Sequence, residues 1–275
     1  LGIAAFNWQL VLVIIGSLGL VAGVLLLFVR EPPRRSPPEA HQLVAEGAPF
    51  GRKFAAFMGW DAAKAIWQRK QVFVPLFAAL ALSAVESQGL PAWRVPFIAR
   101  TYGWNEAEIG GLLGSLLLVS MLAGIFVGGL FVTWMSKRYK DANIRATAII
   151  FACTTVTTIA APLMPSGELA IGAMALGTFF GLAGAPAQNA AIQRIAPNEK
   201  RGQVSALYLF MFTFCGAMGS FVIGWVSTYV VVDESQVWKA ILITAVIFLP
   251  TATFFMYRGI RPYREEVERL EKLGL

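Results

Sequence analysis

The chain has 275 residues, of which 57% are hydrophobic and 14% are charged, and its mean hydropathy is +0.63. This composition excludes an ordinary soluble domain, because a chain of this size cannot hide so much apolar surface from water. The net charge of +7 would suit a nucleic-acid binder, but the placement of the basic residues is explained by membrane insertion, so we expect no nucleic-acid partner.

Seven blocks of apolar residues reach or approach the length that crosses a bilayer. A hydrocarbon core roughly 30 Å thick needs about 20 helical residues. A membrane barrel would show alternating segments of about ten residues instead, and the sequence lacks them. The sequence therefore predicts an all-α, polytopic helical bundle in the lipid bilayer. The blocks are 8–29, 72–90 or slightly beyond, 109–135, 147–164, 171–192, 204–231 and 237–255.

The connectors between these blocks differ in charge. The first, third and fifth connectors and the C-terminal tail hold 20 of the 23 Lys and Arg residues. Basic residues stay on the cytoplasmic side when a polytopic protein inserts. We therefore expect a cytoplasmic C-terminus and an outside start, in a bacterial inner (cell) membrane.

The blocks and connectors divide the chain into four regions. They are a single helix over 1–29, a cytoplasmic central loop over 30–71, a six-helix bundle over 72–257 and a cytoplasmic tail over 258–275. Opposite charges three and four positions apart predict that the tail is a short solvated helix. Leu1 is not an initiator Met, and the residues after it lack the basic stretch of a signal peptide. We therefore expect a fragment that lacks an odd number of preceding helices.

The central loop and the cysteines give no sign of a metal or cofactor site. Residues 50–68 suit either a surface helix or a solvated linker helix, because Asp61 interrupts their apolar face. His41, the sole histidine, has no ligand residues near it in the sequence. Cys153 and Cys215 lie singly inside predicted helices, where cysteine usually fills apolar space. No metal or cofactor is predicted.

Glu86 is the only acidic residue inside a predicted span. A carboxylate at that depth is costly unless it is protonated, paired or next to water. Two interpretations stay open: Glu86 has an intramembrane role, or the second span ends early and leaves it at the outer interface. Pro91 has no N–H to donate to the Ser87 carbonyl, so we expect a kink or break just beyond Glu86. Broken helices often mark the binding sites of transporters.

Gln188 and Asn189 form a second polar cluster, two residues after Pro186 in the fifth span. They suit a structural clamp between helices and a substrate contact equally well. The directions of the spans separate Gln188 from Glu86 by roughly 10 to 15 Å in depth. We therefore expect no direct pairing unless the second span extends past Pro96.

Small residues recur four apart within the spans. This spacing allows two helix backbones to approach closely, so it predicts a tightly packed bundle. The rows are Gly124 and Gly128, Gly177 and Gly181, and Gly216, Ser220 and Gly224.

Several local patterns resemble the major facilitator superfamily and, within it, the spinster-like branch. The Gly-rich first block running into residues 29–34 is similar to the sixth helix and the start of the central loop of that family. Residues 93–110 resemble the exit of its seventh helix and the entry to its eighth. Residues 197–207 resemble its loop into helix eleven.

A loop motif adds to this resemblance. Gly128 and Gly129, followed by Lys137 and Arg138, resemble the loop between helices eight and nine of the family. Thr133 stands where that motif usually carries Asp, so the charge relay proposed for the loop is not transferred to this chain.

The resemblance implies two six-helix halves that rock about a central cavity and expose a solute site to each side in turn. This chain would supply the C-terminal half plus one helix, and its partner would be the missing N-terminal helices of the same protein. Residues that would line or approach the cavity are Ser83, Glu86, Gln88, Gln188 and Asn189. Residues that would form a cytoplasmic gate or contact lipid headgroups are Lys137, Arg138, Lys200 and Arg201.

The leading hypothesis is a secondary active transporter of a small organic or amphipathic solute. Protons are a candidate coupling ion, and Glu86 is the candidate titrating site. An intramembrane enzyme would need paired carboxylates or a His, Cys or Ser constellation, whereas the spans offer one acid and no His. A non-transporting receptor or scaffold of the same fold is the other alternative.

Overall fold

The computed structural model describes residues 8–26, 28, 60–196 and 200–272. Short 3-10 and π turns connect or extend several of the α-helices in these ranges. The α-helices are α1 (Trp8–Leu26), α2 (Trp60–Gln68), α3 (Lys70–Gly89), α4 (Arg94–Tyr102), α5 (Glu106–Ser136), α6 (Ala142–Ala160), α7 (Gly167–Ala183), α8 (Ala185–Ile195), α9 (Arg201–Trp225) and α10 (Val237–Lys272).

Within the described ranges, six helical stretches are long and apolar enough to cross a bilayer. They confirm six of the seven predicted blocks, and Leu12–Leu25 of α1 forms a shorter apolar helix. Most of the central loop, including His41 and residues 50–59, lies outside the described residues. The six stretches are Lys70–Tyr102, Glu106–Ser136, Ala142–Leu163, Gly167–Ile195, Arg201–Val231 and Glu234–Lys272.

The second span is longer than the sequence indicated. After α3, a 3-10 turn covers Leu90–Trp93 with Pro91 in its first positions, and α4 continues the span to Tyr102. The break expected beyond Glu86 is confirmed, but the predicted end near Leu90 is wrong because a tight turn carries the chain onward. Glu86 is 16 positions from each end of Lys70–Tyr102, so it lies at mid-span and not at an interface.

The last span also continues further than predicted. α10 is one helix of 36 residues that contains Pro250 and Pro262. Tyr263 and Val267 in its final part are buried in an apolar cluster with residues of α3, α8 and α9. The prediction of a solvated tail helix is therefore wrong, because the charge pattern hid an apolar side that packs on the bundle.

α3 packs against α9 and α10. α10 also packs against α6, α6 against α7, and α7 against α5. The alternating directions of the spans gather Arg69, Lys140, Arg194 and the end of α10 at one end of the bundle, where ion pairs join them. We call this the basic end. One apolar cluster lies on its side of the bundle and a second lies toward the opposite end.

Small residues produce the closest helix contacts. A Cβ on Gly219 would collide with the Val85 carbonyl oxygen across the α3–α9 contact. The Ser220 hydroxyl donates to the Gly89 carbonyl at the same crossing, at 3.1 Å. The predicted close approach of the row Gly216, Ser220 and Gly224 is confirmed.

The other two rows differ from each other. Gly124 and Gly128 of α5 face the α7 backbone so closely that an added Cβ would collide with carbonyl oxygens, which confirms the first row. A Cβ on Gly177 would lie 3.3 Å from the Thr158 hydroxyl, but one on Gly181 would meet nothing within 4 Å. The close-packing prediction is wrong for Gly181.

The Gly219 contact can be tested by adding one methyl group. We expect Gly219→Ala to lower the free energy of unfolding by about 1–3 kcal/mol, because the new Cβ overpacks against backbone that cannot move aside. Gly172→Ala is the matched control: nothing lies within 4 Å of its added Cβ, so alanine should be neutral or slightly stabilising there. Thermal unfolding in detergent measures both, and equal stability of the two variants would contradict the contact.

Candidate functional site

A cavity of about 370 Å³ lies between the two apolar clusters of the bundle. Phe151 and Tyr208 from the cluster near the basic end line one part of it. Leu90, Met174 and Ile241 from the other cluster line another part. The cavity therefore occupies the middle layer of the bundle, between its two ends.

Interrupted helices border this cavity. Leu90 belongs to the 3-10 turn between α3 and α4, and Ala185 begins α8 directly after the turn at Gly184. Pro186 lies in the first positions of α8, where a missing N–H is tolerated. Backbone irregularity at membrane depth is tolerated where it is buried in protein or lines a cavity. Both breaks meet this condition.

The five cavity candidates from the sequence all line this one cavity. They come from the first and fourth of the six membrane-length stretches, which the structure brings together. Gln188 is buried, while Asn189 is exposed and its amide donates to the Ala185 carbonyl at 3.1 Å. The five residues are Ser83, Glu86, Gln88, Gln188 and Asn189.

Glu86 is a buried acid without a donor. Its side chain is 2% exposed, and neither carboxylate oxygen has a hydrogen-bond partner among the described residues. Thr244 lies beside it, but the Thr244 hydroxyl donates to the carbonyls of Ala240 and Ile241, at 3.1 and 3.0 Å. The second span does extend past Pro96, the condition under which pairing with Gln188 was expected to become possible, yet Glu86 and Gln188 do not pair directly.

Four hydroxyl groups around the cavity are also committed to their own helices. Each donates its proton to a backbone carbonyl three or four residues earlier, so it keeps only acceptor capacity for a ligand. The residues that do so are Ser83, Thr154, Thr155 and Thr178.

Arg94 is the cavity residue that the sequence interpretation missed. It lies in the first turn of α4, and its Nη2 donates to the Thr178 hydroxyl oxygen at 3.1 Å. Because the predicted span ended at Leu90, Arg94 was assigned to a connector. A signal was available: residues from Trp93 onward resemble the exit of the family's seventh helix, which already indicates that the span continues beyond Leu90.

Comparison with known proteins identifies the family. The family model described as Major Facilitator Superfamily matches residues 1–220, which is most of the chain. The chain belongs to the major facilitator superfamily.

A curated member of the superfamily is similar over most of this chain. The relative is an MFS-type efflux pump of Mycolicibacterium smegmatis (strain ATCC 700084 / mc(2)155), 26% identical over 231 residues. The match covers 81% of this chain and 49% of the pump. The chain thus spans about half the length of that relative.

Two solved structures share the fold. Both are crystal structures of a bacterial homolog to the human lysosomal transporter Spinster in an inward-facing conformation. The unoccupied form matches with a TM-score of 0.61 and 21% identity, covering 96% of this chain and 62% of that one. The occupied form matches with a TM-score of 0.52 and 18% identity, covering 96% and 60%. The resemblance to the spinster-like branch is therefore seen in the fold.

Membership settles the general class of the protein. This major facilitator chain is an integral, multi-pass membrane protein of a transporter family. Its family and fold are those of transporters and not those of an enzyme.

The basic end of this major facilitator chain is held by buried acids. Asp141, whose side chain is 2% exposed, lies 2.9 Å from both Arg145 and Arg264 and so joins α6 to α10. Desolvation tends to raise the pKa of Asp141, but hydrogen bonds from the two guanidinium groups outweigh it and hold this pKa below its ordinary value.

Two further acids of α10 contact the other spans. Glu266 lies 2.9 Å from Arg69, directly before α3. Glu271 lies 2.7 Å from Lys140, directly before α6, and 3.0 Å from Arg194 of α8. The final part of α10 is thus tied to the basic ends of several spans.

The predicted loop motif contributes little to this network. Gly128 packs on α7, whereas a Cβ on Gly129 would meet nothing within 4 Å. Lys137 and Arg138 are exposed, and the Arg138 guanidinium lies 4.7 Å from the centre of the Trp134 ring. Lys200 is half-buried and Arg201 is exposed.

The Asp141 ion pairs give a prediction with a definite pH dependence. Folding lowers the pKa of Asp141, so the stability that its ion pairs contribute is complete above the ordinary value of 3.8. This stability is lost as the pH falls through the lowered pKa of the folded state. We expect Asp141→Asn to lower the free energy of unfolding by about 1–3 kcal/mol at pH 7 and much less near pH 3.

The matched control is Asp233→Asn, because Asp233 bonds only to nearby Ser235 and Gln236 in the described structure. Denaturation in detergent at the two pH values gives the comparison. A loss for Asp141→Asn that is equal at both pH values, or no larger than that of the control, would show that the inter-helix ion pairs do not stabilise the protein.

Proposed function

We propose that this chain is part of a secondary active transporter that moves a small organic or amphipathic solute by alternating access. It would act as the C-terminal half plus one preceding helix, with the N-terminal helices of the same protein as the second half. The observation that carries this proposal is a mid-depth cavity that contains a buried, unpartnered carboxylate in a major facilitator fold.

The lining of the cavity supports an organic solute. Large apolar side chains cover much of it, and a few polar groups interrupt them, which is the usual composition of a small-molecule site. The polar groups include Gln188 and Asn189, so a substrate contact is favoured over a purely structural clamp for this pair. The described cavity has a volume of about 370 Å³, and its lining would form one wall of the complete site.

Protons are the proposed coupling ion because of the surroundings of Glu86. The hydroxyl proton of Thr244 is directed at backbone carbonyls, so it leaves the Glu86 carboxylate without a donor. A protonated Glu86 could instead donate to the Thr244 oxygen, which still has acceptor capacity. The site thus offers a hydrogen-bond acceptor to protonated Glu86 but no donor to its carboxylate. Binding a proton would therefore change the hydrogen bonds of Glu86.

The proposed location is a bacterial inner membrane with the basic end in the cytoplasm. The concentration of Lys and Arg at alternate connectors supports this orientation, and the similar efflux pump comes from a bacterium. Lys137, Arg138 and Arg201 are exposed and suit contacts with anionic lipid headgroups. Such contacts do not require these residues to form a gate.

The coupling role is tested by Glu86→Gln in the full-length protein, reconstituted in liposomes with an imposed pH gradient. Coupling free energies are commonly about 1–3 kcal/mol, so we expect the stimulation of solute flux by the gradient to fall by roughly tenfold. Glu168→Gln, an exposed acid in the first turn of α7, is the control and should keep the stimulation. Unchanged flux and unchanged pH dependence in Glu86→Gln would refute the titrating role.

The cavity itself is tested by Gly181→Phe. Gly181 lines the cavity and its added Cβ would meet nothing within 4 Å, so the side chain of phenylalanine begins in open space at the cavity wall. Crowding of about 1–3 kcal/mol should weaken solute binding roughly 5- to 150-fold and reduce flux accordingly. Gly172→Phe on the same helix, outside the cavity lining, is the control. Normal flux in a folded Gly181→Phe protein would exclude this cavity from the solute path.

A further inference from the structure

The cavity contains a half-buried cation as well as a buried acid. Among the described residues that line it, Arg94 is the one cation and Glu86 the one anion. The two are eight residues apart along the same span, which corresponds to roughly 12 Å of helix rise. Within the part of the chain that the structure describes, no carboxylate lies within ion-pair distance of Arg94.

The hydrogen bonds of Arg94 are incomplete. A guanidinium group has five N–H donors, and the structure gives it one bond, from Nη2 to the Thr178 oxygen at 3.1 Å. Its Nε atom is buried and has no partner among the described residues. A buried, charged donor without an acceptor is costly, so the site is electrostatically incomplete as it stands.

Thr178 fixes the direction of this cation. Its own hydroxyl proton is donated to the Met174 carbonyl at 2.9 Å, which leaves the oxygen free to accept from Arg94. The residue is therefore an anchor for one edge of the guanidinium. The remaining donors, including Nε, stay available to another acceptor.

Several hydroxyl groups of the cavity have no proton to donate to an anion. The hydroxyl protons of Ser83, Thr154 and Thr155 are committed to backbone carbonyls of their own helices. Arg94 is thus the one charged donor of the described lining, beside neutral donors such as Gln88 and Gln188, while Phe151, Met174 and Phe212 provide apolar surface in the same space. A guanidinium group binds carboxylate, phosphate and sulfonate oxygens through paired N–H bonds.

We infer that the transported solute is an amphipathic anion whose anionic group binds Arg94 and whose apolar part lies against the apolar lining. This inference rests on the proposed transport function and names the class of solute. Arg94 is then a specificity-determining residue, because an uncharged analogue would leave its donors unpaired in the cavity.

The test uses three probes that share one apolar group and differ in charge. They are naphthalene-2-sulfonate, 2-naphthalenemethanol and 2-naphthylmethylammonium, titrated calorimetrically into the full-length protein in lipid nanodiscs. We expect the sulfonate to bind most tightly. Arg94→Gln should raise its Kd roughly 10- to 150-fold, the loss typical of a hydrogen bond to a charged group, and leave the Kd of the alcohol within about twofold.

Two further variants separate this specificity from a structural role. Arg94→Lys keeps the charge but loses the paired geometry, so it should restore part of the sulfonate binding, and it also serves if Arg94→Gln does not fold. Arg100→Gln is the matched control, because Arg100 lies on the same helix, outside the cavity lining, 3.6 Å from Glu234. It should leave all three Kd values unchanged.

The outcomes distinguish this inference from the proposed function. Equal weakening of sulfonate and alcohol binding by Arg94→Gln, or tightest binding of the ammonium probe, would overturn the anion inference. Glu86-dependent flux together with sulfonate binding that is indifferent to Arg94 would leave transport standing and remove the anion site. Arg94-dependent sulfonate binding without flux of the sulfonate or of any other solute would keep the anion site and remove the transport proposal.

Discussion

A polar group inside a bilayer must find its partner within the protein, and most of this structure follows from that constraint. Helices satisfy their own backbones, and four of the Ser and Thr hydroxyl groups that face the cavity donate to carbonyls of their own helices. Glu86 and Arg94 are the exceptions in the cavity lining, because each keeps a buried polar atom without a partner. Incomplete satisfaction at mid-depth is what distinguishes this cavity from ordinary packing between helices.

The basic end of the described bundle differs from the middle, because its acidic side chains are paired with basic ones. At the basic end, Asp141, Glu266 and Glu271 each lie within ion-pair distance of a basic residue from another part of the chain. Close contacts such as Gly219 against the Val85 carbonyl join the spans within the bilayer. These features suit a body that moves as a unit, which is what alternating access requires of each half.

Prediction from the sequence succeeded where the signal was local and failed where one element continued into the next. The cavity residues Glu86 and Gln188 were found because polar side chains are rare inside apolar blocks. Arg94 was missed because Pro91 was taken to end the span, although the chain continues through a 3-10 turn. The regularly spaced charges of the tail predict a solvated helix, whereas Tyr263 and Val267 give the end of α10 a buried side.

The sequence by itself determined the environment, the helical class and the approximate spans, because the cost of placing polar groups in lipid acts on every residue separately. Its small-residue spacing also indicated close packing, although it could not tell that Gly181 faces open space. Only the tertiary structure decided that residues 83–94 and 177–189 share one cavity and that Arg94 reaches Thr178. Those facts depend on which helix faces meet, and facing is a property of the packed bundle that no single helix encodes.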